Sequence, residues 1–226
     1  MSDVITPLFD VDAVLFDLDG TLVDSAPDLA AAANALRAAR QLPPLPVERY
    51  RPHASSGARG MLHVALDMAP DHPDYEPQRQ AFFTQYQACL AERTQPFDGI
   101  PQLLGELLTR RIAWGVVTNK AERFTTPLTD ALDIFASAQI IVSGDTTPHA
   151  KPHPAPLLYA AEGMGLAPER CLYVGDDLRD IQAAQAANMP SVAVAYGYLG
   201  HGIDVNAWGA DAIIATPLDL LKHLHT

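Results

Sequence analysis

The sequence predicts an α/β protein: a doubly wound, mostly parallel sheet with a small helical unit inserted after its first strand. Three observations lead there. Short apolar runs alternate with helical stretches from Phe97 onward, and no strand pattern interrupts residues 43–94. The first apolar run, Ala13-Val14-Leu15-Phe16, breaks off at a glycine-containing turn. Strands that alternate with helices of this size pair in parallel, because each helix must carry the chain back across the sheet.

In chain order, 13–16 is a short, wholly apolar strand, the pattern of a strand buried on both faces. It opens into Asp17-Leu18-Asp19-Gly20-Thr21. Ser25-Ala26-Pro27-Asp28 reads as a helix start, with Ser25 as N-cap and Asp28 near the third position. Leu29 to Arg40 is Ala-rich and helical, and Pro43-Pro44-Leu45-Pro46 breaks it. Met61, Leu62, Ala65 and Leu66, then Phe82, Phe83, Tyr86 and Leu90, recur at helical spacing, so the aromatic stripe reads as core. Strands follow at 112–118, 140–143, 172–175, 192–195 and 212–215, with helices near 99–110, 122–132, 154–164 and 178–187. The reading divides the chain into a sheet domain, 1–26 with 95–226, and a helical unit, 27–94.

Composition narrows the partners. With 226 residues the chain buries a proper core, and its net charge of −12 and pI near 4.9 repel phosphate backbones and anionic lipid. Nucleic acid and membrane are therefore not expected, and an anionic substrate must be drawn in by local cations. No run is long enough to span a bilayer, and Met1-Ser2-Asp3 lacks the basic start of a signal peptide. Two cysteines, Cys89 and Cys171, make no disulfide framework, so a reducing cytoplasm is the expected compartment.

Ligands of doubly wound sheets bind beyond the carboxyl ends of the strands. Polar residues there are the candidates. Asp17 and Asp19 crowd two carboxylates onto one turn, which a divalent cation with a preference for hard oxygen ligands, such as Mg²⁺, would relieve. In Val117-Thr118-Asn119-Lys120, the Thr118 hydroxyl and Asn119 amide can donate to phosphate oxygens, though both are also ordinary helix-initiating residues. Lys151, between Ala150 and Pro152-His153-Pro154, is kept out of any helix interior, so its ammonium can be fixed beside a phosphoryl group; a solvated surface lysine is the other reading. Gly175-Asp176-Asp177-Leu178-Arg179-Asp180 follows another strand. Asp176 is the natural third metal ligand, and Asp180, one turn on, can steer Lys151 or a metal-bound water. Some of these carboxylates also simply favour a helix N-terminus.

In this order, the four segments resemble the motifs of the haloacid dehalogenase-like hydrolase superfamily over nearly the whole chain, with the helical block where that family inserts its small cap. The resemblance implies a Rossmann-like core with an α-helical cap. It implies Asp17 as a nucleophile that forms an aspartyl-phosphate, and Asp19 as acid and then base. Thr118 and Lys151 would hold the transferring group. Mg²⁺ would sit on the Asp17 carboxylate, the Asp19 carbonyl and Asp176, with Asp177, Asp180 and Thr21 around them. True dehalogenases lack the carboxylate at 19, since a halide leaves without a proton, so phosphate-ester hydrolysis is expected instead.

Asp17-Leu18-Asp19-Gly20-Thr21-Leu22-Val23-Asp24-Ser25 and the two later motifs look like phosphoglycolate phosphatase-like members. Ser55-Ser56-Gly57-Ala58-Arg59, Trp114-Gly115-Val116, Tyr196-Gly197-Tyr198 and Trp208-Gly209-Ala210-Asp211 look like a subgroup acting on N-acetylmuramic acid 6-phosphate. Ser56, Gly57 and Arg59 are the expected substrate-binding cap residues together with Asn119. Arg59 meets a substrate carboxylate or is salt-bridged within the cap, and Arg123 is a weaker candidate expected at the surface. Tyr196, Tyr198 and Trp208 can stack on a sugar, with Trp208 also readable as core. The expected partner is a small phosphorylated metabolite carrying a carboxylate, and the expected state a monomer or weak homodimer. A phosphosugar mutase and a non-catalytic metabolite-binding module are the rival readings.

Overall fold

A computed structural model describes residues 8–200 and 204–225; the Met1-Ser2-Asp3 start lies outside the described residues. Strand β1 (Ala13–Phe16) leads to a two-residue strand β2 (Val23–Asp24) and four helices, α1 (Ala26–Ala38), α2 (Val47–Tyr50), α3 (Gly57–Leu66) and α4 (Tyr75–Ala88). The chain returns through β3 (Gln95–Pro96). It then alternates: α5 (Ile100–Thr109), β4 (Ala113–Val117), α6 (Glu122–Asp130), β5 (Ile140–Val142), α7 (Ala155–Gly163), β6 (Cys171–Gly175), α8 (Leu178–Ala186), β7 (Ser191–Val194) and β8 (Ala212–Ile214).

Six strands form one parallel sheet in the order β5-β4-β1-β6-β7-β8. The doubly wound α/β fold is thus as the sequence predicts, and β1 shows why. Val14 and Phe16 pack with Ile100, Leu103 and Leu107 of α5, whereas Ala13 and Leu15 pack with Leu157 and Ala160 of α7 and Ala183 and Ala184 of α8. Alternate side chains point to opposite faces, so a strand covered by helices on both sides must be apolar throughout. Phe16 stands opposite Val116 on one side and Val174 on the other. This register brings the ends of β1, β4 and β6 out level with one another.

Helices α1, α3 and α4 share a second apolar cluster that includes Leu29, Leu36, Tyr50, Met61, Leu62, Phe82 and Tyr86. Two features tie its entry to its exit. The β2–β3 ribbon pairs Val23 with Pro96 and Asp24 with Gln95. Buried Asp28 accepts hydrogen bonds from the Arg93 and Thr94 amides, both at 3.0 Å, and from the Thr94 hydroxyl at 2.7 Å. The sequence reading of a capped helix start needs correction here. Ser25 holds the N-cap position of α1 but makes no capping bond, because its hydroxyl is given to Asp19; Asp28 reaches across to residues 93–94 instead. Helix α2 and the 3-10 turn Arg51–Ser56 are additions the sequence reading lacked; four and six residues are too few for a helical period to show.

Among the described residues, no helix is long and apolar enough to cross a membrane. Cys89 and Cys171 are both free thiols, and Cys171 is buried.

Candidate active site

Asp17 is the first residue beyond β1, and its amide donates to the Val174 carbonyl at 2.9 Å, so the ladder itself fixes its position. The Lys151 ammonium lies 2.9 Å from Asp17 Oδ1 and 2.7 Å from Asp180 Oδ1. It donates to the Val117 carbonyl (2.8 Å) and the Tyr173 hydroxyl (2.7 Å). Lys151 is 4% exposed, and burial on its own would strip its charge. Asp17 and Asp180 outweigh that, and hold its pKa above the ordinary lysine range.

Asn119 fixes the loop that carries this lysine. Its Oδ1 accepts from the Lys151 amide and its Nδ2 donates to the Lys151 carbonyl, both at 2.9 Å. Asn119 also lines the cavity, so the residue expected to bind substrate additionally holds the main chain of residue 151. Thr118, 2% exposed, accepts from the Lys120 amide at 3.2 Å, and its own hydroxyl proton has no acceptor among the described residues.

Asp176, wholly buried at the end of β6, accepts from the Thr21 hydroxyl (3.0 Å) and the Tyr198 amide (2.8 Å). One carboxylate oxygen from each of Asp17, Asp176 and Asp180 lies within 4.8 Å of the others. Burial, then repulsion from Asp17 and Asp180, pushes the Asp176 carboxyl well above its usual range. Burial likewise raises Asp180 to about 7, against the pull of Lys151. Asp17 Oδ1 is buried, and the Lys151 ammonium 2.9 Å away is its one cation among the described residues. Such a cluster is short of positive charge, and its hard oxygens suit a divalent cation of the Mg²⁺ type. Asp180 has the Lys151 cation and the Asp177 amide (3.0 Å), whereas Asp176 has only neutral donors, the Thr21 hydroxyl and the Tyr198 amide, so Asp176 is the buried carboxylate most in need of a cation.

Gly20 keeps that cluster in place. Its φ is +90°, and a Cβ there would stand 2.1 Å from Asp176 Oδ2. Gly20→Ala is expected to displace Asp176 and to weaken divalent-cation affinity by about tenfold or more, as losses around metal ligands do. Calorimetric titration of the variant checks this, and unchanged affinity would show that the close approach is not needed.

Asp19 faces the cavity 16% exposed, with both oxygens bonded by Lys120 (3.0 and 2.8 Å) and one by the Ser25 hydroxyl. Sequence reasoning did not single out Lys120. Its signal was present: one of only three lysines, directly after Thr118-Asn119. Burial opposes its charge, but Asp19, and after it the Tyr86 hydroxyl, more than compensate, so the ammonium is held above its ordinary range. Arg179 was also missed. Its guanidinium pairs with Asp177 through two bonds of 2.8 Å and donates to the Ser55 carbonyl at 2.8 Å, so it bonds the 51–56 turn to the core. Asp177 caps α8 and pairs with Arg179, and makes no hydrogen bond to Asp17 or Asp176; of the two supporting carboxylates expected from sequence, Asp180 is the one in contact with Lys151.

These residues floor a cavity of about 410 Å³, walled by Ser55, Ser56, Gly57 and Arg59 from the helical unit, with Tyr75, Phe83, Tyr86 and Phe124 as aromatic surface. Arg59 is exposed on this wall and, among the described residues, pairs with no carboxylate, so the salt-bridged reading of it is not found. Arg123 also lines the cavity while exposed, its guanidinium 4.5 Å from the Phe83 ring and 4.7 Å from Phe124. Tyr196 and Tyr198 are corrections. Neither lines the cavity: the Tyr198 hydroxyl accepts from the Ser25 and Ala26 amides (2.7 and 3.0 Å), and the Tyr196 hydroxyl donates to the Thr21 carbonyl (3.0 Å). They brace the turn that carries Asp19. Trp208 packs with Ile181 and Ala193 as a core residue.

The family model for haloacid dehalogenase-like hydrolases matches residues 11–188, and the chain belongs to that family. Among its relatives is the N-acetylmuramic acid 6-phosphate phosphatase of Pseudomonas aeruginosa, 43% identical over 217 residues, covering 96% of this chain and 93% of the relative. The phosphoglycolate phosphatase of Xylella fastidiosa is 42% identical over 212 residues, covering 94% and 89%. The crystal structure of a "predicted phosphoglycolate phosphatase" from Haemophilus somnus superposes with a TM-score of 0.82 at 29% identity, covering 94% of this chain and 97% of that one.

Proposed function

We propose that the protein is a Mg²⁺-dependent phosphatase of small phosphomonoesters that works through an aspartyl-phosphate on Asp17. The observation that carries this reading is the meeting, on one cavity floor, of Asp17, its Lys151 cation 2.9 Å away and Asp19, with Asp176 buried beside Asp17. An Asp17 oxygen forms the new bond to phosphorus as the ester oxygen leaves, and that oxygen takes its proton from Asp19. Asp19 then accepts a proton from the water that attacks the aspartyl-phosphate, which releases inorganic phosphate and restores both groups. Lys120, which donates to both Asp19 oxygens, fixes the orientation of this carboxyl toward the cavity. Lys151 and the free Thr118 proton hold the phosphoryl oxygens. The carboxylates of Asp17 and Asp176, with the Asp19 carbonyl, would hold Mg²⁺, which supplies charge neutralisation for the transferring group.

The relatives are named for two esters, 2-phosphoglycolate and N-acetylmuramic acid 6-phosphate, and both carry a carboxylate. Arg59, exposed on the cavity wall, is the group we assign to it. The cavity volume favours the second ester, because about 410 Å³ with aromatic walls suits a ligand much larger than a two-carbon acid. The free cysteines suit the cytoplasm.

Phosphate release from the two esters, measured side by side with Mg²⁺ and after chelation, tests the reading. Release from at least one, lost on chelation, is expected; transfer to a second phosphosugar with no free phosphate would indicate a mutase instead. Arg59→Ala should raise KM for a carboxylated ester about tenfold more than for p-nitrophenyl phosphate. Equal effects on both would remove Arg59 from carboxylate recognition.

A further inference from the structure

Among the described residues, four buried side-chain polar atoms lack a well-aligned hydrogen bond: Asp17 Oδ1, Ser55 Oγ, Tyr86 Oη and His223 Nδ1. The first three of these residues line the same cavity. Folded proteins seldom leave such groups unsatisfied, and those that remain need an explanation. Asp17 Oδ1 has the Lys151 ammonium 2.9 Å away. Nothing described so far accounts for Ser55, and Tyr86 Oη meets the Lys120 ammonium, which can only donate, so the tyrosine proton still has no acceptor among the described residues.

Both belong to the helical unit, and both are held firmly. Ser55 sits in the 3-10 turn whose carbonyl Arg179 grips from the core at 2.8 Å. Tyr86 is 2% exposed, with its ring stacked on Phe82 (6.1 Å between centroids, 8° between planes) and tilted against Phe124 at 5.3 Å. Its hydroxyl therefore cannot swing out to water. The Lys120 ammonium, which holds Asp19, lies 5.0 Å from the same ring. Burial pushes the Tyr86 hydroxyl up to about 12 against the pull of that charge, so it stays protonated and able to donate. Tyr86 thus stands beside the residue that protonates the leaving oxygen, where the alcohol part of a substrate must lie.

We propose that Ser55 Oγ and Tyr86 Oη are specificity-determining groups that hydrogen-bond the alcohol part of the phosphomonoester, and that they select a sugar-type, polyhydroxylated ester. The assignment rests on the phosphatase reading above. Each hydroxyl both donates and accepts, which matches the hydroxyl and amide groups of a sugar. Sites built to bond such groups discriminate strongly against ligands that lack them, since the protein's own polar atoms are then left unpaired.

The test uses the full chain with Mg²⁺, the variants Tyr86→Phe and Ser55→Ala, and two esters, N-acetylmuramic acid 6-phosphate and p-nitrophenyl phosphate. The ratio of kcat/KM for the sugar ester over the aryl ester is expected to fall about tenfold in each variant. A ratio within about twofold of wild type in both variants would overturn the assignment. A second readout needs no substrate. Ser55→Ala removes only a hydroxyl that lacks a hydrogen-bond partner among the described residues, so its thermal midpoint should equal or exceed that of wild type; a lower midpoint would give that hydroxyl a structural partner and overturn its role. The two levels separate cleanly. Wild-type protein that releases phosphate from neither ester refutes the phosphatase reading and this assignment with it, whereas aryl turnover with an insensitive ratio refutes this assignment alone.

Discussion

Asp17→Asn is expected to lower phosphate release by about 10⁴-fold or more while the fold is kept. The carboxamide has the shape of the carboxylate but is not a competent nucleophile, and the amide bond from residue 17 to the Val174 carbonyl does not depend on the side chain. Stability should move the other way. Asp17 adds negative charge beside Asp176 and Asp180, whose carboxyls are already raised by burial and by that charge. Its loss relieves repulsion, and Lys151 keeps Asp180 as a partner at 2.7 Å. The thermal midpoint in metal-free buffer should therefore hold or rise as turnover vanishes. Metal-dependent turnover that survives the substitution would remove Asp17 as nucleophile.

Lys151→Met should damage both properties. The ammonium contacts Asp17 and Asp180 and donates to the Val117 carbonyl and the Tyr173 hydroxyl, all in a buried setting. Removing one partner from a buried ion-pair network leaves uncompensated charge, which costs about 3–5 kcal/mol. Turnover should fall by about 10³-fold, the scale of losing a preorganised charge at the transferring group. Mg²⁺ should raise the midpoint of this variant more than that of wild type, since a ligand that binds the folded state alone stabilises it and the vacated pocket is more negative. Denaturant melts with and without Mg²⁺ measure this. A variant as stable as wild type would mean that Lys151 does not hold the acidic cluster together.

Much of the site was legible because parallel strands in step deliver their next residues to one place. Asp17, Thr118 and Asp176 each follow an apolar run directly, and the register of β1 with β4 and β6 does the rest. The residues that escaped sequence reading depend on partners far along the chain. The Asn119 carboxamide holds the main chain of residue 151, and the hydroxyl of Tyr198 is used by residues 25 and 26. The aromatic stripe of α4 shows a second limit. Helical spacing tells that Phe82 and Tyr86 turn inward, and both are buried; it does not tell that the buried face borders a cavity. Very short elements such as β2 and β3, two residues each, carry no period to read.

The most direct test is the intact mass of the Asp19→Asn variant, mixed with p-nitrophenyl phosphate and Mg²⁺ and quenched in acid. A nitrophenolate leaves without needing a proton, so the first step proceeds, while the substituted carboxamide cannot draw a proton from water for the second. A species heavier by one phosphoryl group should accumulate, with the added mass on the peptide that holds Asp17. Phosphate released without any such adduct, or an adduct on another residue, would contradict the account.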